Sequence, residues 1–203
     1  MTFVAFGLLC FSSLVTIIDP IAAAPIFLSL TRSHSTVERR AIALRACLIA
    51  FGLLAVFAVA GSSILKLFGV TLHAFRIAGG LLFFSTGAAM LAGKAHSQGS
   101  PEGDTDLAIV PLAMPVICGP GALSTVMLLM GQAQTLAHVL AFFVALVLAV
   151  TFTWACLLAA PAALRLVGKS GVEVATQVMG LILCVLGVQF IVDGIKPLLL
   201  DLL

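Results

Sequence analysis

Charged side chains are scarce in this sequence. Asp, Glu, Lys and Arg together make up 9% of the 203 residues, whereas they make up about a quarter of an average soluble protein. Hydrophobic residues account for 62%, so a water-soluble domain would lack the polar side chains to cover its surface. The net charge of +2 comes without a basic run, which excludes a positive stripe that follows nucleic-acid phosphates. We therefore expect one membrane domain in a lipid bilayer, with no soluble appendage.

Enzyme motifs are also missing. The sequence contains no His-Glu-x-x-His zinc motif, no Gly-x-Ser-x-Gly nucleophile turn and no Walker phosphate loop. An intramembrane aspartyl protease needs two facing carboxylates, and Asp19 has only Asp193, at the margin of a span, as a candidate partner. The histidines lack metal-ligand spacing, and the five cysteines contain no Cys-x-x-Cys pair. We expect neither catalysis nor a metal or cofactor, apart from a coupling proton or Na⁺.

Hydrophobic windows of about 20 residues, the length that crosses a bilayer, predict six spans. They are Phe3 to Leu30, Ala41 to Leu65, Leu72 to Leu91, Leu107 to Met130, Leu136 to Leu164 and Val174 to Ile195. The first span is too long to be one straight helix, and the fourth contains Pro111, Pro115 and Pro120. Because proline interrupts a helix, both spans are predicted to divide into two pieces.

Basic residues concentrate in alternate loops. Loops one, three and five hold Arg32, Arg39, Arg40, Lys94, Arg165 and Lys169, whereas the other loops and the termini hold Lys66 and Lys196. The positive-inside rule then predicts that both termini lie outside. The Gly/Ser-rich segment 93–106 is predicted to be a cytoplasmic linker between a first repeat, 1–92, and a second, 107–203.

The two halves share a proline-interrupted apolar motif, at 18–25 and at 114–121. Two sets of positions align: Pro20 and Pro25 with Pro115 and Pro120 at an offset of 95, and 76–79 with 177–180 at an offset of 101. Each half has three spans, so the second half enters the membrane from the opposite side. The predicted fold is an all-α membrane protein with six transmembrane segments in a 3+3 inverted repeat, whose first and fourth segments are broken at prolines.

Four stretches of the sequence resemble the MarC family. They are Asp19-Pro20 with Pro25-Ile26-Phe27, the run 75–80, the run 110–115 leading to Gly119-Pro120-Gly121-Ala122, and the run 187–194. The likeness covers nearly the whole chain in the same order. It implies a multi-pass protein of the bacterial cytoplasmic (inner) membrane, in the LysE-like transporter superfamily. It also implies an ion-coupled carrier of small neutral amino acids such as glycine and alanine. Ala22-Ala23-Ala24 departs from the family, which often has Gly and a polar residue there.

Helix breaks offer partners to both charges of an amino acid. A half-helix N-terminus has free N–H groups and a partial positive charge, suited to a carboxylate, and the opposite half-helix end has carbonyls for an ammonium group or a cation. We therefore expect the substrate between 22–25 and 118–121, where glycines allow close approach. The candidate binding residues are Asp19, Ala22, Ala23, Ala24, Pro25, Cys118, Gly119, Pro120, Gly121, Ser124 and Thr125. Pro25 and Pro120 are expected to hold the breaks open, whereas Gly79 and Gly80 are expected to serve helix packing.

Asp19 is the most distinctive candidate because carboxylates inside a membrane are costly and usually face a cavity or a partner. It is expected to bind the substrate ammonium group, a coupling cation or a proton; the alternatives are a helix-end residue or a structural partner of Arg76. Arg76 either reaches the lipid headgroups or forms an ion pair with Asp19 or a substrate carboxylate.

A carrier is the leading functional hypothesis, and a channel is its main rival. Inverted halves with broken spans also surround selective pores, and an exporter of another small solute fits the same pattern. The sequence leaves the oligomeric state open.

Overall fold

A computed structural model describes residues 2–31, 33–92, 108–165 and 168–200, and these ranges contain helices and no β-strand. The α-helices are α1 (Phe3–Ile18), α2 (Pro20–Leu30), α3 (Thr36–Leu67), α4 (Leu72–Leu91), α5 (Pro120–Gly131), α6 (Leu136–Arg165) and α7 (Gly168–Leu200). A π-helix, Ala108–Ile117, precedes α5. The all-α prediction is thus confirmed for this part of the chain, while the predicted linker 93–106 lies outside the described residues.

Five stretches of the described residues are long and apolar enough to cross a membrane: Phe3–Leu28, Thr36–Leu67, Leu72–Leu91, Leu136–Ala162 and Thr176–Pro197. They correspond to five of the six predicted spans. The remaining one, Leu107 to Met130, is not among them. Its residues are divided between the π-helix, with 10 residues, and α5, with 12, and each piece is shorter than the ~20 residues that cross a bilayer.

A first interruption separates α1 from α2 at Asp19. Asp19 has φ 45° and ψ 71° and is the one non-glycine residue with positive φ in the described part. Its N–H donates to Val15 O, 3.1 Å away, and its carboxylate accepts from the Ala22 N–H at 3.2 Å. Pro20 then occupies the first helical position, where the missing N–H costs nothing. One aspartate therefore ends one helix and caps the next.

A second interruption, Cys118 and Gly119, separates the π-helix from α5. Gly119 is extended, with φ −74° and ψ 171°, and Pro120 begins α5. Pro25, in contrast, lies inside α2, and Pro115 lies within the π-helix. The expectation that Pro25 holds a break open is therefore wrong, because Pro25 lies within a helix whereas Pro120 begins one.

Helices α4 and α7 pack in antiparallel orientation through glycines. A Cβ atom added to Gly80 would lie 2.5 Å from Gly187 O, and one added to Gly87 would lie 2.5 Å from Gly180 O. The two backbones thus touch without side chains between them, as small residues allow in membranes. The Gly79 Cα faces the Pro120 ring, so the predicted packing role of Gly79 and Gly80 is confirmed.

Large apolar side chains cover the outer faces of the helices. Leu8 is 64% exposed, Leu140 56% and Val185 60%, although leaving such groups in water is unfavourable. The inward faces of the same bundle bury Phe6, Leu14 and Phe142. Apolar surfaces on both the inside and the outside of a helical bundle fit a surrounding of lipid.

Candidate functional site

A cavity of about 140 Å³ lies where the two interruptions meet α4 and α7. It is lined by 16–19 at the end of α1, by the start of α2, by residues around the second interruption, by Phe83 of α4 and by one side of α7 between Met179 and Phe190. An engineered cavity of about 150 Å³ holds benzene. The size therefore suits a small molecule.

The first half of the chain supplies the polar side chains of this cavity, Asp19 and Thr16. Asp19 is exposed, and its position at the junction of α1 and α2 holds the carboxylate beside the first turn of α2 through the bond to Ala22. An ionised carboxylate has about four acceptor sites, of which this bond uses one. The group can therefore also accept from a bound cation such as an ammonium group.

The second half contributes the uncapped N-terminus of α5. Gly119 occupies the N-cap position of α5 and has no side chain to cap the helix, whereas the Asp19 side chain caps α2. The Leu123 N–H donates to Gly119 O at 3.0 Å, which is the first backbone bond of α5. The N–H groups of Gly121 and Ala122 come earlier in the helix and have no acceptor within it. Both residues are buried and line the cavity. This end of the cavity is suited to an anionic group, because free N–H groups and the helix dipole act there together.

Several predicted site residues meet at the cavity. Its lining contains Asp19, Ala22, Ala23, Gly119 and Gly121. The other candidates lie nearby but outside the lining: Ala24 and Pro25 in α2, Cys118 in the second interruption, and Pro120, Ser124 and Thr125 in α5. The buried Ser124 hydroxyl is engaged within α5, where it donates to Gly121 O at 3.0 Å.

Arg76 is not part of the lining, and within the described ranges no ion pair joins it to Asp19. The carboxylate accepts a hydrogen bond from the Ala22 N–H instead. This geometry leaves the Asp19 charge available to the cavity.

Sequence reasoning missed Thr16, Phe83 and the α7 residues. Thr16 lies one turn before Asp19 within an apolar span, and this polar position was a usable signal. Phe83 and Phe190 read as ordinary apolar residues of a span, so the sequence had no signal that distinguishes them. Only the packing of α4 against α7 brings their rings together, with centroids 5.6 Å apart.

The cavity lining contains residues in matched pairs. Members of each pair are separated by 100 residues. Cys184 and Phe84 have the same separation, and the Cys184 Sγ lies 3.6 Å from the Phe84 carbonyl O. The pairs are Thr16 and Val116, Asp19 and Gly119, Ala22 and Ala122, and Phe83 and Leu183. Four pairs of lining residues thus share one separation, and only the first half of the chain brings a charged side chain to the cavity.

Comparisons with known proteins agree with an integral membrane protein. The model of the "MarC family integral membrane protein" matches residues 4–199. The chain is 37% identical over 196 residues to a UPF0056 membrane protein of Buchnera aphidicola subsp. Schizaphis graminum, which covers 95% of this chain and 93% of that one. It is 36% identical over 200 residues to UPF0056 membrane protein MJ1677 of Methanocaldococcus jannaschii, with 95% and 97% covered.

A third relative is the UPF0056 membrane protein YhcE of Escherichia coli, 32% identical over 200 residues, with 95% of this chain and 93% of that protein covered. No solved structure matches the chain significantly. The family match extends over almost all of the helices described above, and it confirms the resemblance seen in the sequence. The chain is a multi-pass membrane protein and belongs to the MarC family.

Proposed function

We propose that this protein is a secondary transporter of small neutral amino acids such as glycine and alanine, and not an enzyme. The proposal places it in the bacterial cytoplasmic (inner) membrane, where it works by alternating access and is coupled to a proton or Na⁺ gradient. One observation carries this proposal: a cavity of about 140 Å³ is lined both by the Asp19 carboxylate and by the uncapped N-terminus of α5.

The two groups match the two ends of a zwitterion. The ammonium group of an amino acid needs an anionic partner, and its carboxylate needs N–H donors, since a polar group that leaves water without partners costs several kcal/mol. Asp19 supplies the first, and the N–H groups of Gly121 and Ala122 supply the second. The rest of the lining is mainly apolar, which favours a substrate with a small apolar side chain over one with a second charge.

We further propose that the chain is a 3+3 inverted repeat with one offset of 100 residues, in place of the two offsets seen in the sequence. Helices α2 and α5 begin at Pro20 and Pro120, and α3 and α6 begin at Thr36 and Leu136. The glycines of the α4–α7 contact support the same offset. Gly80 and Gly87 then correspond to Gly180 and Gly187, and Gly80 contacts Gly187 while Gly87 contacts Gly180. In this proposal both termini lie outside, and the two interruptions meet near the centre of the repeat.

Counterflow in proteoliposomes tests the transport function. The purified protein is loaded with unlabelled alanine, and uptake of radiolabelled glycine and alanine is measured with pH and Na⁺ varied separately. Saturable exchange that unlabelled small amino acids inhibit is the expected result. High flux without exchange would instead identify a channel, and no exchange of either amino acid by folded protein would remove the substrate assignment.

Asp19→Asn is the matching variant, and Asp193→Asn is its control. Asp193 accepts a 2.8 Å bond from Gln189 on the exposed side of α7 and does not line the cavity. A hydrogen bond to a charged group contributes about 1.5–3 kcal/mol, so we expect Asp19→Asn to lose at least about tenfold in exchange. The control should stay within about twofold of the wild type. Equal exchange by the two variants would contradict the role of Asp19.

A further inference from the structure

We propose that Phe190, held in place by Phe83, sets the upper size limit of the transported side chain. The inference rests on the proposed function and deepens it, because it names the residue that separates alanine from larger neutral amino acids. Both rings line the cavity. Their centroids lie 5.6 Å apart with an interplanar angle of 30°, and Phe83 is buried against the core.

Phe190 lies directly against the turn that would hold the substrate carboxylate. A Cβ atom added to Gly121 would lie 2.5 Å from Phe190 Cζ and 3.1 Å from Ile17 Cδ1. The ring therefore contacts the α-carbon of Gly121, whose N–H is one of the two free donors of α5. No other aromatic side chain is among the atoms nearest to this position.

The covalent structure of an amino acid turns this contact into a size limit. The side chain is attached to the α-carbon, and the α-carbon is attached to the carboxylate carbon. When the carboxylate occupies the N-terminus of α5, the substrate side chain must lie in the space that Phe190 and Ile17 border. A cavity of about 140 Å³ must also hold the carboxylate and the ammonium group, so little room remains beyond a methyl group.

The ring pair explains why this border does not yield. Protein interiors are close-packed, and added methylene groups force neighbouring side chains out of their preferred rotamers. Phe190 contacts Gly121 on one side and Phe83 on another, so these two contacts restrict its movement away from the cavity. Valine and leucine are therefore excluded, while glycine and alanine fit.

The test measures selectivity in counterflow of labelled alanine, with unlabelled glycine, alanine, valine and leucine as competitors. The variants are Phe190→Ala and Phe84→Ala; Phe84 neighbours Phe83 on α4 but is 44% exposed and does not line the cavity. An added or missing methylene in an apolar pocket changes selectivity by about 10-fold or more. We expect Phe190→Ala to shift the valine-to-glycine inhibition ratio towards valine by at least about tenfold, and Phe84→Ala to leave the ratio unchanged.

A second pair of variants keeps the proposal testable if Phe190→Ala does not fold. Gly121→Ala adds a methyl group beside the ring and should reduce alanine exchange relative to glycine exchange by about tenfold. Gly121→Ala combined with Phe190→Leu should restore the wild-type ratio to within about threefold, because the smaller side chain makes room for the new methyl group.

The outcomes separate this inference from the proposed function. Wild-type alanine exchange with an unchanged valine-to-glycine ratio in Phe190→Ala overturns the inference alone, and so does a Gly121→Ala defect that Phe190→Leu does not relieve. Absence of glycine and alanine exchange in the folded wild type overturns the proposed function as well. A ratio that shifts equally in Phe84→Ala also overturns the inference, because it would indicate a general loosening of α4 and α7.

Discussion

Replacing Asp19 by Asn, Gly and Ala should separate its structural role from its charge. The residue has a left-handed backbone, φ 45°, and its carboxylate caps the Ala22 N–H. Asparagine preserves both features, because it tolerates this conformation and caps helices as well as aspartate does. Glycine adopts the conformation freely and loses only a few tenths of a kcal/mol as a cap. Alanine neither favours the left-handed conformation nor caps the helix.

The expected loss for alanine follows from two contributions. Loss of the cap costs about 1 kcal/mol, and a left-handed residue with a Cβ and no short polar group costs about 1–2 kcal/mol. The Ala variant should therefore be about 2–3 kcal/mol less stable than the Asn variant. For a chain of this size, that difference lowers Tm by about 4–12 °C. The Asn and Gly variants should melt within about 2 °C of the wild type by the same scale.

Thermal unfolding of the four purified proteins in one detergent measures the structural effect, and counterflow measures the charge effect. We expect all three variants to lose exchange, although only one of them is destabilised. If Asp19→Ala melts together with Asp19→Asn, the argument from the left-handed cap is refuted. If Asp19→Gly exchanges at the wild-type rate, the charge is not needed and the proposed ammonium partner is wrong.

Three further predictions follow from the helix contacts and the basic loops. Gly87→Ala should destabilise the protein by about 1–3 kcal/mol, because the added methyl group would meet the backbone of α7. Gly52 has open space around it, so Gly52→Ala should stabilise the protein by up to about 1 kcal/mol. Equal Tm shifts of the two variants would contradict the contact between Gly87 and α7. Pro120→Ala should weaken substrate binding, because it permits a more continuous helix before α5. Pro25 lies inside α2, so Pro25→Ala should leave binding unchanged. A binding titration in which Pro25→Ala weakens binding and Pro120→Ala does not would contradict the assignment of the interruptions. Cysteines placed at Ser97 and Lys169, after removal of the native cysteines, should react with an impermeant thiol reagent from the cytoplasmic side, and labelling from outside would invert the proposed topology.

Hydropathy was sufficient to predict five spans, because about 20 apolar residues cross a bilayer whatever their neighbours are. The fourth predicted segment, Leu107 to Met130, is not among these five. Its described part is interrupted at Cys118 and Gly119 and includes a π-helix, and hydropathy does not reveal the i→i+5 bonding of such a helix. Proline alone also misplaced the first interruption: Pro20 and Pro25 both fit an interrupted span, and the left-handed Asp19 backbone decides between them.

Some residues of the candidate site could likewise be predicted from the sequence, and others could not. Asp19, Gly119 and Gly121 were predictable because a carboxylate and glycines beside prolines are unusual within apolar spans. Phe83, Leu183 and Phe190 were not, because their role depends on which face α4 and α7 present to the cavity. That orientation is fixed by the glycine contacts between the two helices, which bring together residues far apart in the sequence.

The unequal pairing of Asp19 with Gly119 has an electrical consequence. The lining contains one formally charged side chain, and it is negative when ionised. A zwitterion adds no net charge, so binding an amino acid leaves this negative charge uncompensated. A site that crosses the membrane field in that state responds to the membrane potential by about 2.3 kcal/mol per 100 mV. In the proposed transport cycle, one bound proton or Na⁺ for each amino acid would make the loaded site neutral, so we expect both the stoichiometry of coupling and the voltage dependence of transport to depend on this one side chain.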